Sequence, residues 1–489
     1  MFETRELSRR APRLRANRLT LCLSAVLLSQ MSAELALATP PTATLPRPAT
    51  EHHATPLKHA PNLPATPPWT VKNCTDHDPD SLRDIIENQA QSGETIDLSL
   101  LPMLCGTTNS TITLTSGEIV IAEDDLKLIG PDSANGTVTV SGGGAYRVFH
   151  HEGLGTLSLD SLQVSDGYYH RGGTAYGGCI ESDGGNIYLY KTTVTGCTVL
   201  SDTSHANGGG VSARAGDVTL YFCSVSDNQA DATSVRGIGG GVYAGGTLKA
   251  KYSSISNNAE HDGPGQTGAG GGAFAGAMTI IASTIDNNSA AYGSALNVAT
   301  GLTISDSTIS KNLASIGGAA IYCFFCDTAT VANSTIAFNH QASSVTGGAL
   351  VFYGSLPNSE LILQSSIVAN NTLGAGNIPA DLYIPIGHGV LSGTGADNLV
   401  IASNIASPPP GVITVTTDPK LGPLQFNGGR TRTHALLPGS PALGIGNDNA
   451  SLSNDQRGTG YPRTTGPMQT VDIGAFQFDS IFAGAFDSQ

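Results

Sequence analysis

The sequence predicts an all-β protein whose chain winds into a parallel β-helix, a solenoid of short strands, with a short capping helix at its N-terminal end. Glycine clusters begin at Gly177, Gly208, Gly239 and Gly270, at intervals of 31 residues. The intervals hold short runs rich in β-branched residues, such as "MTIIASTID", and no apolar period of helix length. A repeat period of about 20 to 50 residues is typical of solenoids.

An Ile or Val marker recurs in each unit. Its positions are Val164, Val194, Val225, Ile255, Ile285, Ile309, Ile336 and Ile367. Strands that return to the same marker every 24 to 31 residues leave no room for crossover helices, which indicates three short strands per coil. We expect the markers to stack inside the solenoid at the strand spacing of about 4.8 Å.

An asparagine follows the later markers by three residues. The six positions are Asn228, Asn258, Asn288, Asn312, Asn339 and Asn370. Asparagine tolerates left-handed backbone at a turn, and stacked amide side chains can pass hydrogen bonds from coil to coil. The spacing therefore predicts a structural asparagine stack.

The N-terminal segments differ from the repeats. Residues 1–38 contain six arginines followed by an apolar run that closes on "ALA", the pattern of a secretory signal peptide. A transmembrane anchor is the alternative, although polar residues interrupt the run. Residues 39–70 are rich in Pro and Thr, which predicts a flexible linker.

The predicted capping helix follows the linker. Asp80 or Ser81 precedes an apolar set at Leu82, Ile85 and Ile86, and the helix is expected to end near Gly93. A helix here would cover the open edge of the first coil. The carboxylates of "CTDHDPDSL" resemble a calcium loop in their alternation, but acidic residues at a helix N-terminus are also favoured by the helix dipole.

Charge and cysteine content limit the environment and the partners. Without residues 1–38 the chain has 18 basic and 36 acidic residues, a net charge of −18, which argues against nucleic acid as a partner. Seven cysteines remain, and in an exported protein they are expected to form disulfides. The expected pairs are Cys74 with Cys105, Cys179 with Cys197, and Cys323 with Cys326, with Cys223 free. A redox-active "CFFC" is the alternative for the third pair.

The chain from Cys74 onward resembles secreted bacterial right-handed parallel β-helix repeat proteins of the pectin-lyase-like superfamily. Its C-terminal strings "DPKLGPLQFNGGRTRTHALLPGSPALGIG", "DQRG" and "VDIGAFQF" resemble the choice-of-anchor Q region that follows such helices. The resemblance implies a right-handed β-helix with its cap over 71–410, an anchor-Q-like region over 411–478 and a tail over 479–489. Free secretion and surface attachment both stay open, because the tail has neither an LPxTG motif nor a terminal apolar helix.

The acidic residues of the repeats are thinly spread, and a lyase would need them clustered around Ca²⁺ with a basic residue nearby. "GHG" at 387–389 and the pair Asp124 and Asp125 match fragments of polygalacturonase-like sites, but they lie more than 260 residues apart. We therefore predict no metal site and no cofactor, with Ca²⁺ as the exception if the protein is a lyase. The sequence leaves the catalytic residues of such an enzyme unknown.

The densest polar patch is "SDGYYHRGG". It contains Asp166, Tyr168, Tyr169, His170 and Arg171, and the aromatic faces and the guanidinium could bind a sugar. The sequence thus predicts a secreted or cell-surface protein that contacts an extracellular polysaccharide or another cell-surface component as a noncatalytic adhesin. The alternatives are a lyase or hydrolase acting on uronate polysaccharides, and a structural spacer without a ligand.

Overall fold

The computed structural model describes residues 68–345, 347–393, 396–447, 450, 452–464 and 470–478. The predicted signal peptide, residues 39–67 of the predicted linker and the tail 479–489 lie outside the described residues. Within the described part of the chain, no helix has the length and apolar character needed to cross a bilayer.

The chain folds into a parallel β-solenoid of about 11 turns with very little helix. Three long sheets, named A, B and C here, run along it, and successive coils supply successive strands to each sheet. The sheet A strands are Trp69–Thr70, Glu94–Asp97, Ile119–Ile121, Leu126–Ile129, Phe149–His151, Thr156–Asp160, Ile180–Ser182, Asn186–Tyr190, Val211–Ala213, Val218–Tyr221, Val242–Lys251, Ala273–Ile281, Leu296–Ser305, Ile321–Cys326, Thr328–Ala332, Leu350–Gly354, Glu360–Gln364, Leu382–Tyr383 and Val390–Ser392.

Sheets B and C complete each coil. The sheet B strands are Asn109–Thr113, Thr137–Ser141, Gln163–Ser165, Thr193–Thr195, Ser224–Ser226, Ser254–Ser256, Thr284–Asp286, Thr308–Ser310, Thr335–Ala337, Ile367–Ala369, Asn398–Val400 and Ile413–Val415. The sheet C strands are Tyr168–Arg171, Thr198–Ser201, Gln229–Ala232, Ala259–His261, Ser289–Tyr292, Leu313–Gly317, His340–Gln341, Thr372–Leu373 and Ile378–Pro379. A small sheet contains Ala175–Tyr176, Ala206–Asn207 and Gly237–Ile238, and a hairpin pairs Leu421–Gln425 with Thr433–Leu436.

The glycine clusters form tight corners between these sheets. Gly239 has φ +66°, and a Cβ at this position would lie 2.3 Å from the carbonyl oxygen of Val242. A Cβ on Gly240 would lie 2.2 Å from the carbonyl oxygen of Ala259, in the neighbouring coil. The corner therefore requires glycine for both backbone conformation and space.

The marker residues stack in the interior through sheet B. Val225, Ile255 and Ile285 pair directly in register and are fully buried. The last marker is different, because Ile336 pairs with Val368 and not with Ile367 as the sequence suggested. Ile367 faces the other side of the sheet, where it packs in a separate apolar cluster with Ala435 and Ile473.

The asparagines form a hydrogen-bonded ladder at the corner that follows sheet B. The Nδ2 group of Asn258 donates to Oδ1 of Asn288 over 3.0 Å, and Asn288 donates likewise to Asn312 over 3.0 Å. The predicted place of Asn370 was wrong: Asn339 donates to Asn371 over 2.9 Å, and Asn371 in turn donates to Asp381. The described ladder members are Asn228, Asn258, Asn288, Asn312, Asn339 and Asn371. Asn370 instead donates to Asp418 over 3.2 Å.

Two short helices lie near the N-terminal end, Leu82–Asn88 and Leu101–Leu104, with a 3₁₀ turn at Ser133–Asn135. The hydroxyl of Ser81 accepts the backbone N–H of Asp84 and so caps the first helix. This helix ends at Asn88, before the expected position, and its apolar face joins the core of the solenoid. The linker assignment extended too far, since Trp69–Thr70 already pairs with sheet A.

The three expected disulfides are present, Cys74–Cys105, Cys179–Cys197 and Cys323–Cys326. Cys223 is the free cysteine of the described residues, and its burial raises the pKa of the thiol to about 11. A buried thiol with a raised pKa is a poor nucleophile, so Cys223 is a packing residue.

The C-terminal region, defined here as residues 416–478, packs along the outer face of sheet B. The solenoid extends past the expected boundary at residue 410, because Ile413–Val415 still pairs parallel with Asn398–Val400. Beyond it, His434 contacts the hydroxyl of Ser310 at 2.9 Å, and Gln456 accepts the hydroxyl of Thr308 at 2.6 Å. These contacts place the C-terminal region against sheet B.

Candidate functional site

The candidate site is built by three adjacent strands of sheet A near the N-terminal end of the solenoid. His150 pairs in register with Val120 on one side and with Glu181 on the other. Strand alternation buries Phe149 and His151 in the interior and directs His150 and Glu181 to the outer face. Two polar residues from separate coils thus lie side by side.

Arg147 joins two carboxylates at this place. Its Nη1 donates to Oε2 of Glu118 over 2.8 Å, and its Nη2 lies 2.6 Å from Oε2 of Glu181. The guanidinium also donates to the backbone carbonyls of Gly177 and Tyr176, so that its position is fixed from four sides. The side chain of Arg147 is only 1% exposed. A buried guanidinium needs such full pairing, because an unpaired buried charge is strongly destabilising.

His150 lies among three carboxylates. Its Nδ1 is 3.4 Å from Oε1 of Glu118, and its Nε2 is 3.5 Å from Oδ2 of Asp183 and 3.9 Å from Oε2 of Glu181. The Nε2 atom is buried and has no hydrogen-bond partner among the described residues. We call Glu118, Arg147, His150, Glu181 and Asp183 the His150 cluster.

Within the cluster the pKa values of Glu118 and Glu181 are shifted in opposite directions. Burial raises the pKa of Glu181, and the positive charges of Arg147 and His150 offset this effect only in part. Burial acts in the same sense on Glu118, but the interactions with His150 and Arg147 outweigh it and lower the pKa. The contact with Glu118 raises the pKa of His150. Such opposite shifts in neighbouring groups are typical of functional sites and also occur in structural ion networks.

Part of the predicted polar patch reaches this cluster. Tyr168, Tyr169 and His170 line a cleft of about 370 Å³ together with residues of the cluster and its neighbours. The full lining is Gly117, Glu118, Ala145, Tyr146, Arg147, Tyr168, Tyr169 and His170. The ring of Tyr169 covers Arg147, with the guanidinium carbon 3.6 Å from the ring centroid.

The other two patch residues do not line the cleft. Asp166 has φ +53° and accepts the hydroxyls of Ser141 and Ser165 at 3.1 and 2.6 Å, which makes it a turn residue. Arg171 is exposed at the end of its strand. His170 lies at the rim of the cleft and pairs with Asp202 at 2.9 Å.

The polygalacturonase-like fragments have structural roles. Asp124 and Asp125 accept backbone N–H groups of Leu154 and Thr156 at 2.9 and 2.7 Å. The ring of His388 packs on Tyr353 with centroids 3.8 Å apart. These contacts account for the side chains of all three residues.

The members of the His150 cluster are far apart along the chain and stand in unlike motifs, so that the sequence does not single them out as a site. One signal was available, since His150 and Glu181 are separated by 31 residues, the interval of the glycine clusters. Aligning the coils at that interval places these two residues side by side.

Comparison with known proteins finds a distant similarity to a solved structure. No protein-family model matches the chain, and no curated protein matches it. Among solved structures, the chain is similar to the crystal structure of the pectate lyase Pel9A, with a TM-score of 0.38 and 11% sequence identity. The alignment covers 82% of this chain and 91% of the lyase chain.

Proposed function

We propose that this is an extracellular, noncatalytic carbohydrate-binding protein that holds a polysaccharide in the cleft beside Arg147. One observation carries the proposal: the rings of Tyr146, Tyr168 and Tyr169 line the same cleft as the Arg147–Glu118 ion pair. Apolar sugar faces pack on aromatic rings, and sugar hydroxyls can donate to the carboxylate of Glu118, whose side chain is 27% exposed and is held in place by the buried Arg147.

The cleft is fixed before any ligand arrives. Arg147 is held by two backbone carbonyls and two carboxylates, and Tyr169 packs directly on it. A site whose side chains are already ordered loses little conformational entropy on binding. This rigidity supports recognition of a weakly interacting ligand such as a sugar chain.

Charge favours a neutral polysaccharide over a polyuronate. The charge of Arg147 is matched by Glu118 and Glu181, and the whole chain has a net charge of −15. A polyanion would be repelled by this protein at low ionic strength. The three disulfides support an extracellular setting, since disulfides persist in oxidising compartments.

Binding is tested by screening the purified protein on a glycan array and then titrating the best oligosaccharide by calorimetry. We expect Tyr169→Ala and Tyr168→Ala each to weaken binding about tenfold, the loss of one stacking contact of roughly 1.4 kcal/mol. Tyr188→Ala is the matched control, because Tyr188 is 40% exposed on sheet A and outside the cleft lining. Absence of any glycan ligand, or affinity unchanged in both cleft variants, would overturn the proposal.

A polysaccharide-cleaving enzyme is the second candidate function, and the opposite pKa shifts of Glu118 and Glu181 favour it. A carboxyl with a raised pKa can donate a proton to a leaving group, while an ionised neighbour acts as base. The assay follows reducing ends and unsaturated uronate ends on pectate, alginate and neutral glycans, with and without Ca²⁺. Activity that Glu181→Gln abolishes would replace the binding proposal with an enzymatic one.

A further inference from the structure

We propose that His150, Glu181 and Asp183 bind one divalent transition-metal cation on the outer face of sheet A, with Zn²⁺ as the representative ion. The site stands on the geometry of the His150 cluster and does not depend on glycan binding. Each of the three residues offers a ligand atom, and these atoms all lie within 4.8 Å of one another.

The separations suit a small cation. In a tetrahedral zinc site with bonds of about 2.0 to 2.2 Å, neighbouring ligand atoms are roughly 3.4 Å apart. The Nε2 atom of His150 lies 3.5 Å from Oδ2 of Asp183 and 3.9 Å from Oε2 of Glu181. Small side-chain adjustments would bring all three ligand atoms to bonding distance of one cation. The fourth coordination position would stay open to water.

The orientation of His150 points to a ligand. Its Nδ1 faces the carboxylate of Glu118, and in the neutral imidazole that a metal requires this arrangement favours the proton on Nδ1 and leaves the lone pair on Nε2. A carboxylate behind the imidazole is the usual outer partner of a metal-binding histidine. The buried Nε2, which has no hydrogen-bond partner among the described residues, is aimed at Glu181 and Asp183.

The local charge also favours a cation. The carboxylates of Glu118, Glu181 and Asp183 face two guanidinium groups, Arg147 and Arg214, the latter 3.7 Å from Asp183. With neutral His150 the group has a net charge of −1, which a bound cation would offset. One imidazole with two carboxylates suits Zn²⁺ and similar ions better than Ca²⁺, which takes oxygen ligands.

The test uses the purified protein after treatment with a chelator and dialysis. Calorimetric titration with Zn²⁺ should give one ion per chain, and saturating Zn²⁺ should raise the Tm by about 3 °C. Co²⁺ should give visible absorption bands of a low-coordinate site. We expect His150→Gln and Asp183→Asn each to weaken Zn²⁺ binding at least tenfold and to remove the Co²⁺ bands.

His170→Gln is the matched control, because His170 forms an exposed pair with Asp202 but belongs to no candidate metal group among the described residues. Circular dichroism of the metal-free variants establishes that they fold. If His150→Gln does not fold, Asp183→Asn still tests the site, because the side chain of Asp183 is half exposed. No Zn²⁺ binding would overturn the proposal and leave His150 as a protonated partner of the carboxylates. Binding that persists in both variants, or Ca²⁺ binding that His150→Gln leaves unchanged, would overturn it as well.

A bound cation would hold Glu181 ionised and so exclude it as a proton donor. The metal titration therefore separates this proposal from the enzymatic candidate. Loss of Zn²⁺ binding in His150→Gln with glycan affinity retained would show that the two sites act independently.

Discussion

Nη2 of Arg432 donates to Oδ1 of Asp286 over 2.7 Å, although the two residues are 146 positions apart in the sequence. Arg463 makes a second such pair with Asp306 and also donates to the carbonyl oxygen of Asn333 over 3.1 Å. The C-terminal region is therefore tied by buried or half-buried ion pairs to consecutive coils, at a sheet B strand for Asp286 and at the turn before the next sheet B strand for Asp306.

Loss of the Arg432–Asp286 pair should destabilise the fold in a pH-dependent way. Burial raises the pKa of Asp286 to about 6, while the charge of Arg432 opposes this shift. At pH 7 Arg432→Ala removes the guanidinium partner of a buried carboxylate and leaves Asn287 as its side-chain donor, and we expect a loss of about 3 kcal/mol in the free energy of unfolding. At pH 5 the carboxyl is protonated in the folded state, so the loss should be smaller.

Urea unfolding at both pH values measures this effect. Arg430→Ala is the control, because Arg430 packs on Phe222, with the guanidinium carbon 4.6 Å from the ring centroid, and forms no ion pair with a described acidic residue. Equal losses for Arg432→Ala at pH 7 and pH 5 would contradict the assigned role of the pair.

Removing one member of the asparagine ladder should lower the free energy of unfolding far more than changing an asparagine that lies outside the ladder. Asn288 accepts the backbone N–H and the Nδ2 group of Asn258 and donates to Asn312. Asn288→Ala leaves buried donors without partners, so we expect a loss of about 3 kcal/mol or more. The control is Asn370→Gly, which preserves the positive φ of a residue outside the ladder and should change stability by less than about 1 kcal/mol. Thermal unfolding compares the two, and similar losses would argue against the ladder.

Protonation of His434 should lower the free energy of unfolding in acid. Burial lowers the pKa of His434 to about 4, while the unfolded side chain titrates near 6.5. Its stabilising effect is therefore complete above pH 6.5 and is lost as the pH falls towards 4, by up to about 3 kcal/mol. His434→Gln should be less stable than the parent at pH 7, and the gap should narrow by about 2 kcal/mol at pH 4.5. Asp286 and Asp306 titrate in the same range, but both proteins share them.

The measurement for His434 is urea unfolding from pH 4.5 to 7.5. His170→Gln provides the comparison, since His170 is exposed at a different surface. If the free energy of unfolding of His434→Gln changes with pH in parallel to that of the parent, the assignment of His434 as a buried neutral histidine is wrong.

Glu260 should destabilise the protein above pH 5. Burial, followed by the nearby charge of Asp262, raises the pKa of Glu260 to about 9. A raised pKa in the folded state means that stability decreases as the pH rises from 4.5 towards 9. Glu260→Gln retains a neutral group of the same shape, and we expect a gain of about 3 kcal/mol at pH 8 that disappears at pH 4.5.

Unfolding by urea at those two pH values checks the Glu260 prediction. Glu360→Gln is the matched control, because Glu360 is exposed at the start of a sheet A strand. A gain that Glu360→Gln reproduces would be a general effect of net charge.

The solenoid could be predicted from the sequence because the same pattern of glycines, apolar markers and asparagines recurs in many coils. The prediction failed at the last ladder position, where Ile367 and Val368 are both apolar and Asn370 and Asn371 are both amides. Local pattern cannot choose between the two registers there. The choice is made by the C-terminal region, which covers Ile367 and so allows an apolar side chain on the outer face.

The functional residues were only partly predictable. The tyrosines at 168 and 169 could be identified because they lie together in the sequence, whereas the His150 cluster draws its members from three coils. The chemistry of the cluster depends on which side chains of each strand point outward. An error of one residue in the predicted strand register would have exchanged the inward and outward side chains.

The contacts of residues 416–478 also fix an order of events during synthesis. Coils can form one after another as the chain emerges, since each needs only its predecessor as a template. Ile367 and Leu399 stay uncovered until Ile473 and Phe476 have been made, because these late residues complete their cluster. An apolar flank of the solenoid therefore stays exposed until residues 473–476 have been synthesised, and a chain that ends before these residues would leave that flank open to aggregation.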